Sequence, residues 1–122
     1  MTQSWDPDLQ IIQGFHAHVY FTPQTRPAAA RLREAVGQTF AVTLGRWHDA
    51  PVGPHSQPMY QIAFAREDFG RLVPWLMLKR EGLSVLVHPV TGDDYGDHAT
   101  SCLWLGPPLP LHLDVLRQAR EA

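Results

Sequence analysis

Two of the seven histidines in this chain stand two residues apart in a segment that reads as a strand. Between residues 15 and 21 apolar side chains alternate with His16, His18 and Tyr20. Alternation with a period of two predicts a β-strand with one buried face and one polar face. Imidazole is a good ligand for Fe, Zn, Cu and Ni and titrates near neutral pH. The polar face of this strand is therefore a candidate floor for a metal or acid–base site.

Length and composition favour a single globular domain. The chain has 122 residues, 44% of them hydrophobic, enough for one core and too few for two. The net charge is -2, and no basic cluster predicts nucleic-acid binding. A single cysteine, Cys102, excludes an intrachain disulfide and fits a reducing compartment. No segment reaches the roughly 20 apolar residues of a membrane span, and no signal-peptide pattern is present. We therefore expect a cytoplasmic protein without membrane or nucleic-acid partners.

The predicted elements follow the order strand, helix, strand, strand, helix, strand. Strands are expected at residues 15–21, 41–47, 59–64 and 83–88, and helices at residues 28–40 and 67–81. Apolar residues recur at helical spacing in both helices, and Pro74 is expected to kink or restart the second one. We expect a lead-in at residues 1–13, one domain at residues 14–113 and a tail at residues 114–122.

The remaining segments predict loops and short elements. Residues 48–58 hold three prolines and a glycine and predict a long, stiff loop that carries His48 and His55. Residues 91–100 are rich in aspartate and predict a turn. A short fifth strand is expected at residues 101–105, and a short helix at residues 111–120.

This order is the split-βαβ pattern of a ferredoxin-like βαββαβ sandwich, an α+β fold. Both helices would cover one face of an antiparallel sheet with the strand order 4-1-3-2. We expect strands one and three to run parallel, with strands two and four opposed to them. Six histidines, all except His112, would then gather where strand one begins. The other face of the sheet would be covered by an added segment or by a second copy of the chain.

The predicted sheet favours a metal-binding role for three histidines and leaves several carboxylates as further candidates. His16, His18 and His88 would share one face of two adjacent strands. An iron site with two histidines and one carboxylate has four candidate carboxylates: Asp49, Asp93, Asp94 and Asp97. Arg46 suits an anionic substrate. Each residue also has a structural interpretation, since histidines often bond to carbonyl groups and tyrosines often lie half-buried in sheets. The convergence of six histidines favours the functional interpretation.

Several motifs are combined along the chain. They are His16-Ala17-His18-Val19-Tyr20-Phe21, Gly45-Arg46-Trp47-His48, Pro51-Val52-Gly53-Pro54-His55, Met59-Tyr60-Gln61, Pro74-Trp75-Leu76, Val87-His88-Pro89 with Thr91-Gly92-Asp93, and Asp97-His98. Together they resemble the DOPA 4,5-dioxygenase family, the small fungal and bacterial type, over about residues 14 to 113. The resemblance implies a ferredoxin-like fold, often dimeric, and extradiol cleavage of a catechol by O2.

The leading hypothesis is therefore a non-haem iron extradiol dioxygenase that acts on DOPA or a related catechol, as a homodimer. Its expected metal ligands are His16, His18 and His88, with Fe(II) as cofactor and Zn or Ni as substitutes in crystals. Its expected catalytic residues are His48, His55 and His98, and its expected substrate-binding residues are Arg46, Tyr20 and Tyr60. Two alternatives stay open: a metal-dependent enzyme of another class, such as a zinc hydrolase, and a non-enzymatic ferredoxin-like binding module.

Overall fold

The structure is a computed structural model that describes residues 6–121, with side chains described as far as residue 117. Its strands are β1 (Gly14–Tyr20), β2 (Thr43–Leu44), β3 (Met59–Phe64), β4 (Val85–Val90) and β5 (Leu103–Leu105). Its α-helices are α1 (Arg26–Thr39), α2 (Phe69–Lys79), α3 (Asp94–Ala99) and α4 (Leu113–Glu121). Short 3-10 helices, Pro7–Ile11 and Arg66–Asp68, precede β1 and α2. The described part of the expected lead-in thus contains a helical turn.

The sheet has the strand order β2-β3-β1-β4-β5. It contains the predicted 4-1-3-2 order, with β5 added beside β4, and confirms the ferredoxin-like α+β fold. The predicted strand directions were wrong, because β3 runs antiparallel to β1 and Tyr20 lies opposite Met59. Helix α1 returns the chain so that β1 and β2 point the same way, and β3 pairs between them in the opposite direction. The start of β3 therefore lies at the end of β1, not at its beginning.

One face of the sheet, which we call the helix face, packs against α1 and α2. Ala17 and Val19 of β1 are fully buried there against the apolar stripe of each helix. The stripe of α1 consists of Ala29, Leu32 and Val36, and that of α2 of Leu72, Val73 and Leu76. Pro27 lies in the first turn of α1, where its missing N–H costs no hydrogen bond. Burial of these stripes is the main source of stability.

Helix α2 runs unbroken through Pro74, so the expected restart near Val73 does not occur. Buried side chains on both sides of Pro74 hold the helix against the core, which offsets the one hydrogen bond that proline cannot donate. Strand β4 likewise continues through Pro89 to Val90 instead of ending at residue 88. Pro89 is tolerated because β5 pairs with β4 only as far as Val87, so β4 is an edge strand beyond that point.

Two further elements differ from their predictions. Strand β2 has two residues instead of seven, although the backbone of Gly45 and His48 still bonds to β3. The acidic segment 91–100 forms α3 rather than only a turn. Six residues are too few to show a helical stripe in the sequence, so periodicity could not detect this helix.

The second face of the sheet, which we call the histidine face, is covered by the chain itself. Tyr20, Met59 and Leu86 form a small apolar cluster there with Cys102, Trp104, Leu109 and Leu111. The loop 48–58 and helix α3 lie over the part that carries His18 and His88, and α4 packs on α3. The expected added segment is thus present in this chain. Among the described helices none is both long and apolar enough to cross a membrane.

Candidate metal centre

Strands β1 and β4 bring three histidines together on the histidine face. His16 lies directly opposite His88 in the antiparallel register, and His18 is two residues further along β1. The Nε2 atoms of His18 and His88 are 3.0 Å apart. One ring nitrogen from each of His16, His18 and His88 lies within 4.8 Å of the others, a spacing that could hold a metal ion. The sheet register therefore fixes this group.

Two more histidines reach the same place from outside the sheet. The ring of His55, from the loop 48–58, is centred 4.3 Å from that of His18. The ring of His98, from α3, is centred 4.1 Å from that of His88. His18, His55 and His98 form a second group whose ring nitrogens lie within 4.8 Å of one another. We call the five residues His16, His18, His55, His88 and His98 the histidine cluster; they line a cleft of about 220 Å³.

Helix α3 positions His98. The Asp93 carboxylate accepts a hydrogen bond from the backbone N–H of Gly96 and caps the helix. The buried Asp97 carboxylate accepts from the backbone N–H of Thr91 at 2.9 Å and from its hydroxyl at 2.6 Å. A Cβ at Gly96 would lie 2.5 Å from a carboxylate oxygen of Asp93, so a larger residue there would displace the capping carboxylate. These contacts fasten α3 to the end of β4.

The C-terminal segment holds the loop that carries His55. The hydroxyl of Ser56 donates to the carbonyl of Pro110 at 2.6 Å. The backbone N–H of His112 donates to the carbonyl of Pro54 at 2.7 Å. These bonds draw the loop back over the histidine face, so His55 meets His18 although the loop starts and ends at the far end of β1.

Backbone carbonyls fix the proton position on two of the imidazoles. Nδ1 of His88 lies 2.7 Å from the carbonyl oxygen of Pro89, and Nδ1 of His98 lies 2.7 Å from that of Asp94. A carbonyl only accepts, so each Nδ1 carries the hydrogen and each Nε2 is an acceptor. In the metal-free protein Nε2 of His88 accepts from Nε2 of His18, 3.0 Å away. Nδ1 of His18 is buried and has no hydrogen-bond partner among the described residues.

The cluster disfavours positive charge on its own histidines. Burial, followed by the neighbouring imidazoles His55 and His88, lowers the pKa of His18 well below its usual value. Burial and the neighbouring His98 lower the pKa values of His55 and His88 to about 4. The pKa of His16 is lowered by burial and by His98. The imidazoles of these four histidines are therefore neutral at pH 7, the form that binds metal ions.

The other predicted site residues are more scattered. His48 forms a bridge with Met59 at the start of β3 and lines, with Arg46, a second cleft of about 300 Å³. His18 and His55 also line this second cleft, so it adjoins the histidine cluster. Tyr60 lies on the helix face, where its hydroxyl donates to the carbonyl of Ala29, so its position gives no support to a role in substrate binding.

The candidate carboxylates differ in their distance from the histidine cluster. Asp49 is exposed and binds Arg26 and the indole N–H of Trp47, away from the cluster. Asp94 and Asp97 line the cluster's cleft, and both oxygens of Asp97 accept from Thr91. The anchoring role of Asp97 was missed because the sequence showed only an acidic turn. Tyr20 is buried, and its hydroxyl lies 2.7 Å from Nδ1 of His55.

The comparison with known families agrees with this arrangement. The profile of the Dopa 4,5-dioxygenase family matches residues 15–115, which include the whole histidine cluster. The chain belongs to this family. The resemblance seen in the sequence motifs is thereby confirmed.

Individual relatives support the family assignment. The chain is 37% identical to a DOPA 4,5-dioxygenase of Amanita muscaria over 93% of its own length and 56% of that enzyme. It is 32% identical to an uncharacterized 21.2 kDa protein of Botryotinia fuckeliana, over 93% of this chain and 69% of that protein. A crystal structure of a candidate dioxygenase from Nostoc punctiforme superposes with a TM-score of 0.91 at 55% identity, covering 93% of this chain and 99% of that one. The chain thus spans just over half of the Amanita enzyme and nearly all of the Nostoc protein.

Proposed function

We propose that this protein is a non-haem Fe(II) extradiol dioxygenase that opens the ring of a catechol with O2. The observation that carries the proposal is the group His16, His18 and His88, held on two paired strands beside a cleft. Family membership supplies the reaction class. The affinity of imidazole nitrogen for iron supports Fe(II) as the cofactor.

The histidine cluster fits a bound metal ion in three ways. Metal–nitrogen bonds of about 2.0–2.1 Å place neighbouring ligand nitrogens roughly 3 Å apart, and the Nε2 atoms of His18 and His88 are 3.0 Å apart. Burial keeps these rings neutral. The carbonyl of Pro89 accepts a hydrogen bond from Nδ1 of His88 and so keeps the hydrogen off Nε2, the nitrogen that would bind the metal. Carbonyl and carboxylate partners do the same for metal-bound histidines.

A bound Fe(II) would supply a template that brings the catechol and O2 together. The residues of the chain have their own tasks. Nε2 of His98 has a free lone pair beside the cleft and can accept a proton from a catechol hydroxyl. Arg46 and His48 line the adjoining cleft, where a guanidinium can bind the carboxylate of a substrate side chain.

The proposal is tested by reconstitution without oxygen. The protein is loaded anaerobically with Fe(II), or with Zn(II) as a matched control, and is then given catechol, DOPA and 3,4-dihydroxyphenylacetate in the presence of O2. We expect oxygen uptake and a yellow ring-opened product from the Fe(II)-loaded protein and neither from the Zn(II)-loaded control. Product analysis then distinguishes 2,3 from 4,5 cleavage.

Two outcomes would contradict the proposal. Stoichiometric Fe(II) binding without oxygen uptake on any of these catechols would exclude the dioxygenase activity for them. Hydrolytic activity with Zn(II) and no oxygen requirement would favour the hydrolase alternative. A homodimer and a cytoplasmic location stay predictions, which sedimentation and cell fractionation can check.

A further inference from the structure

The histidines of the cluster differ in the kind of group that binds Nδ1. His88 and His98 face backbone carbonyls, whereas His55 faces the hydroxyl of Tyr20. We infer that Tyr20 is a positioning residue that holds His55 in the tautomer protonated at Nε2. His55 then presents a hydrogen-bond donor to the cleft, while His98 presents a lone pair and Nε2 of His88 is an acceptor 3.0 Å from Nε2 of His18. The inference rests on the proposed function only for the identity of the group that accepts this hydrogen bond.

The hydrogen of the Tyr20 hydroxyl decides the tautomer. The Tyr20 side chain is 1% exposed, and in the described part of the chain Nδ1 of His55 is its one hydrogen-bond partner. A phenol keeps its hydrogen at neutral pH. If Nδ1 of His55 carried a hydrogen instead, the hydroxyl would accept that bond and its own hydrogen would be buried without an acceptor. Because a buried donor without a partner is costly, Tyr20 donates and Nδ1 accepts.

Packing prevents the hydroxyl from turning to another partner. The Tyr20 ring lies against the indole of Trp104, with ring centres 5.6 Å apart. Met59 and Leu86, both buried, complete its apolar surroundings. The loop beside His55 is in turn bound to residues 110–112. Both ends of the Tyr20–His55 hydrogen bond are therefore fixed.

This tautomer separates the two groups that could hold a metal. In the group His18, His55 and His98, the Nδ1 lone pair of His55 is taken by Tyr20, and its Nε2 carries a hydrogen. In the group with His16 and His88, the Nε2 of His88 is unprotonated because Nδ1 donates to Pro89. A metal ion therefore favours His16, His18 and His88, which lie on β1 and β4 and which we call the strand-borne group. His55 stays beside this group as a hydrogen-bond donor.

The donor complements His98 across the cleft. The rings of His55 and His98 are centred 6.0 Å apart and line the same cleft. His98 offers an acceptor and His55 offers a donor. This pair suits two adjacent oxygens, one a hydroxyl that faces His98 and the other an anionic oxygen that faces His55. A singly deprotonated catechol has this pattern. His55 would then bind its anionic oxygen, a charge-assisted hydrogen bond.

The first test reads the tautomer directly and needs neither metal nor turnover. The metal-free protein is labelled with 15N-histidine, and two-bond 1H–15N correlations identify the protonated nitrogen of each ring. We expect His55 protonated at Nε2, and His88 and His98 protonated at Nδ1. In Tyr20→Phe the His55 signals should move toward a mixture of tautomers. A wild-type His55 protonated at Nδ1 would overturn the inference whatever the variants do.

Tyr60→Phe is the matched control. Tyr60 is equally buried and its hydroxyl also makes one hydrogen bond, but it lies on the helix face. This variant should leave the His55 signals unchanged. An equal response of the His55 signals to both tyrosine variants would mean a general effect on folding, and would also overturn the inference.

The second test uses the Fe(II)-loaded protein. Tyr20→Phe should keep Fe(II) affinity within about twofold and lower kcat/KM for catechols by about 10–100-fold, the usual effect of losing a group that orients a site histidine. A parallel loss of Fe(II) affinity would make His55 a ligand and overturn the inference. Absence of catechol turnover in the wild type would refute the proposed function alone, because the tautomer is read separately.

Discussion

The two faces of β1 have the same backbone and different tasks. Toward α1 and α2 the strand shows Ala17 and Val19, which are buried in an entirely apolar environment. Toward the other side it shows His18 and Tyr20, which are nearly as buried but contact other polar rings. Burial stabilises the fold on the helix face. On the histidine face, burial keeps imidazoles uncharged and directs their hydrogen bonds.

This difference indicates how the site can exist in so small a domain. Buried polar groups weaken a fold unless each finds a partner, and Nδ1 of His18 has none among the described residues. The helix face must offset that cost through apolar packing. We therefore expect substitutions on the helix face to change the free energy of unfolding, and substitutions of His16, His18 or His88 on the histidine face to change metal binding.

The largest effect is expected from His88→Ala. It removes a ligand nitrogen from the strand-borne group, so Fe(II) affinity should fall by more than about 100-fold, since even partners outside the ligand set contribute 10–100-fold. Turnover should be lost while the far-ultraviolet circular dichroism stays that of a folded protein. Isothermal titration with Fe(II) under nitrogen measures the affinity. His112→Ala, at an exposed ring, is the control; full iron occupancy in His88→Ala would refute the assignment.

Leu72→Ala should produce the opposite pattern. Leu72 is fully buried between α2 and the sheet, so its truncation should lower the free energy of unfolding by about 2–5 kcal/mol. Urea denaturation followed by tryptophan fluorescence measures that loss. The folded fraction should still bind one Fe(II) with the wild-type affinity. A variant that loses iron affinity in proportion to stability would show that the two faces are not separable.

A smaller effect is expected from pH. The pKa values of His55 and His88 are about 4 in the folded protein and 6.5 in an unfolded chain. Between these values the unfolded chain binds more protons, so the metal-free protein loses stability as pH falls from about 6.5 to 4, by up to roughly 1.4 kcal/mol per pH unit for each histidine. Urea denaturation at pH 7, 6 and 5 measures the slope.

Variants from the two faces should affect this slope differently. Leu72→Ala should lower stability equally at every pH and leave the slope unchanged, because it removes no titrating group. His88→Ala should reduce the slope. A wild-type stability that does not change between pH 7 and 5 would contradict the lowered pKa values.

The sequence predicted the parts of the site that depend on strand periodicity. Alternation along β1 assigned His16 and His18 to one face, and the 4-1-3-2 order placed His88 beside them, as the register shows. The error in the direction of β3 left these three unaffected, because only the pairing of β1 with β4 is involved. Local pattern and sheet order together are therefore sufficient for residues on strands.

Residues on loops could not be placed in this way. His55 was expected near His16 on the assumption that β3 begins there, but β3 begins at the far end of β1. It reaches His18 because residues 54 and 56 bond to residues 110 and 112. Such contacts between distant segments leave no periodic signal. The position of Tyr60 on the helix face could not be predicted for a related reason, since nothing in the sequence showed which face of β3 it would occupy.

The proton positions on the imidazoles have unequal resistance to mutation. Those on His88 and His98 depend on main-chain carbonyls, which every amino acid retains, so no single side-chain replacement at residues 89 or 94 deletes the acceptor. The proton position on His55 depends on one phenol. Divergence within this family, or directed evolution of the protein, can therefore retune His55 by a single change at residue 20. The tautomers of His88 and His98, by contrast, depend on the backbone and persist when side chains change.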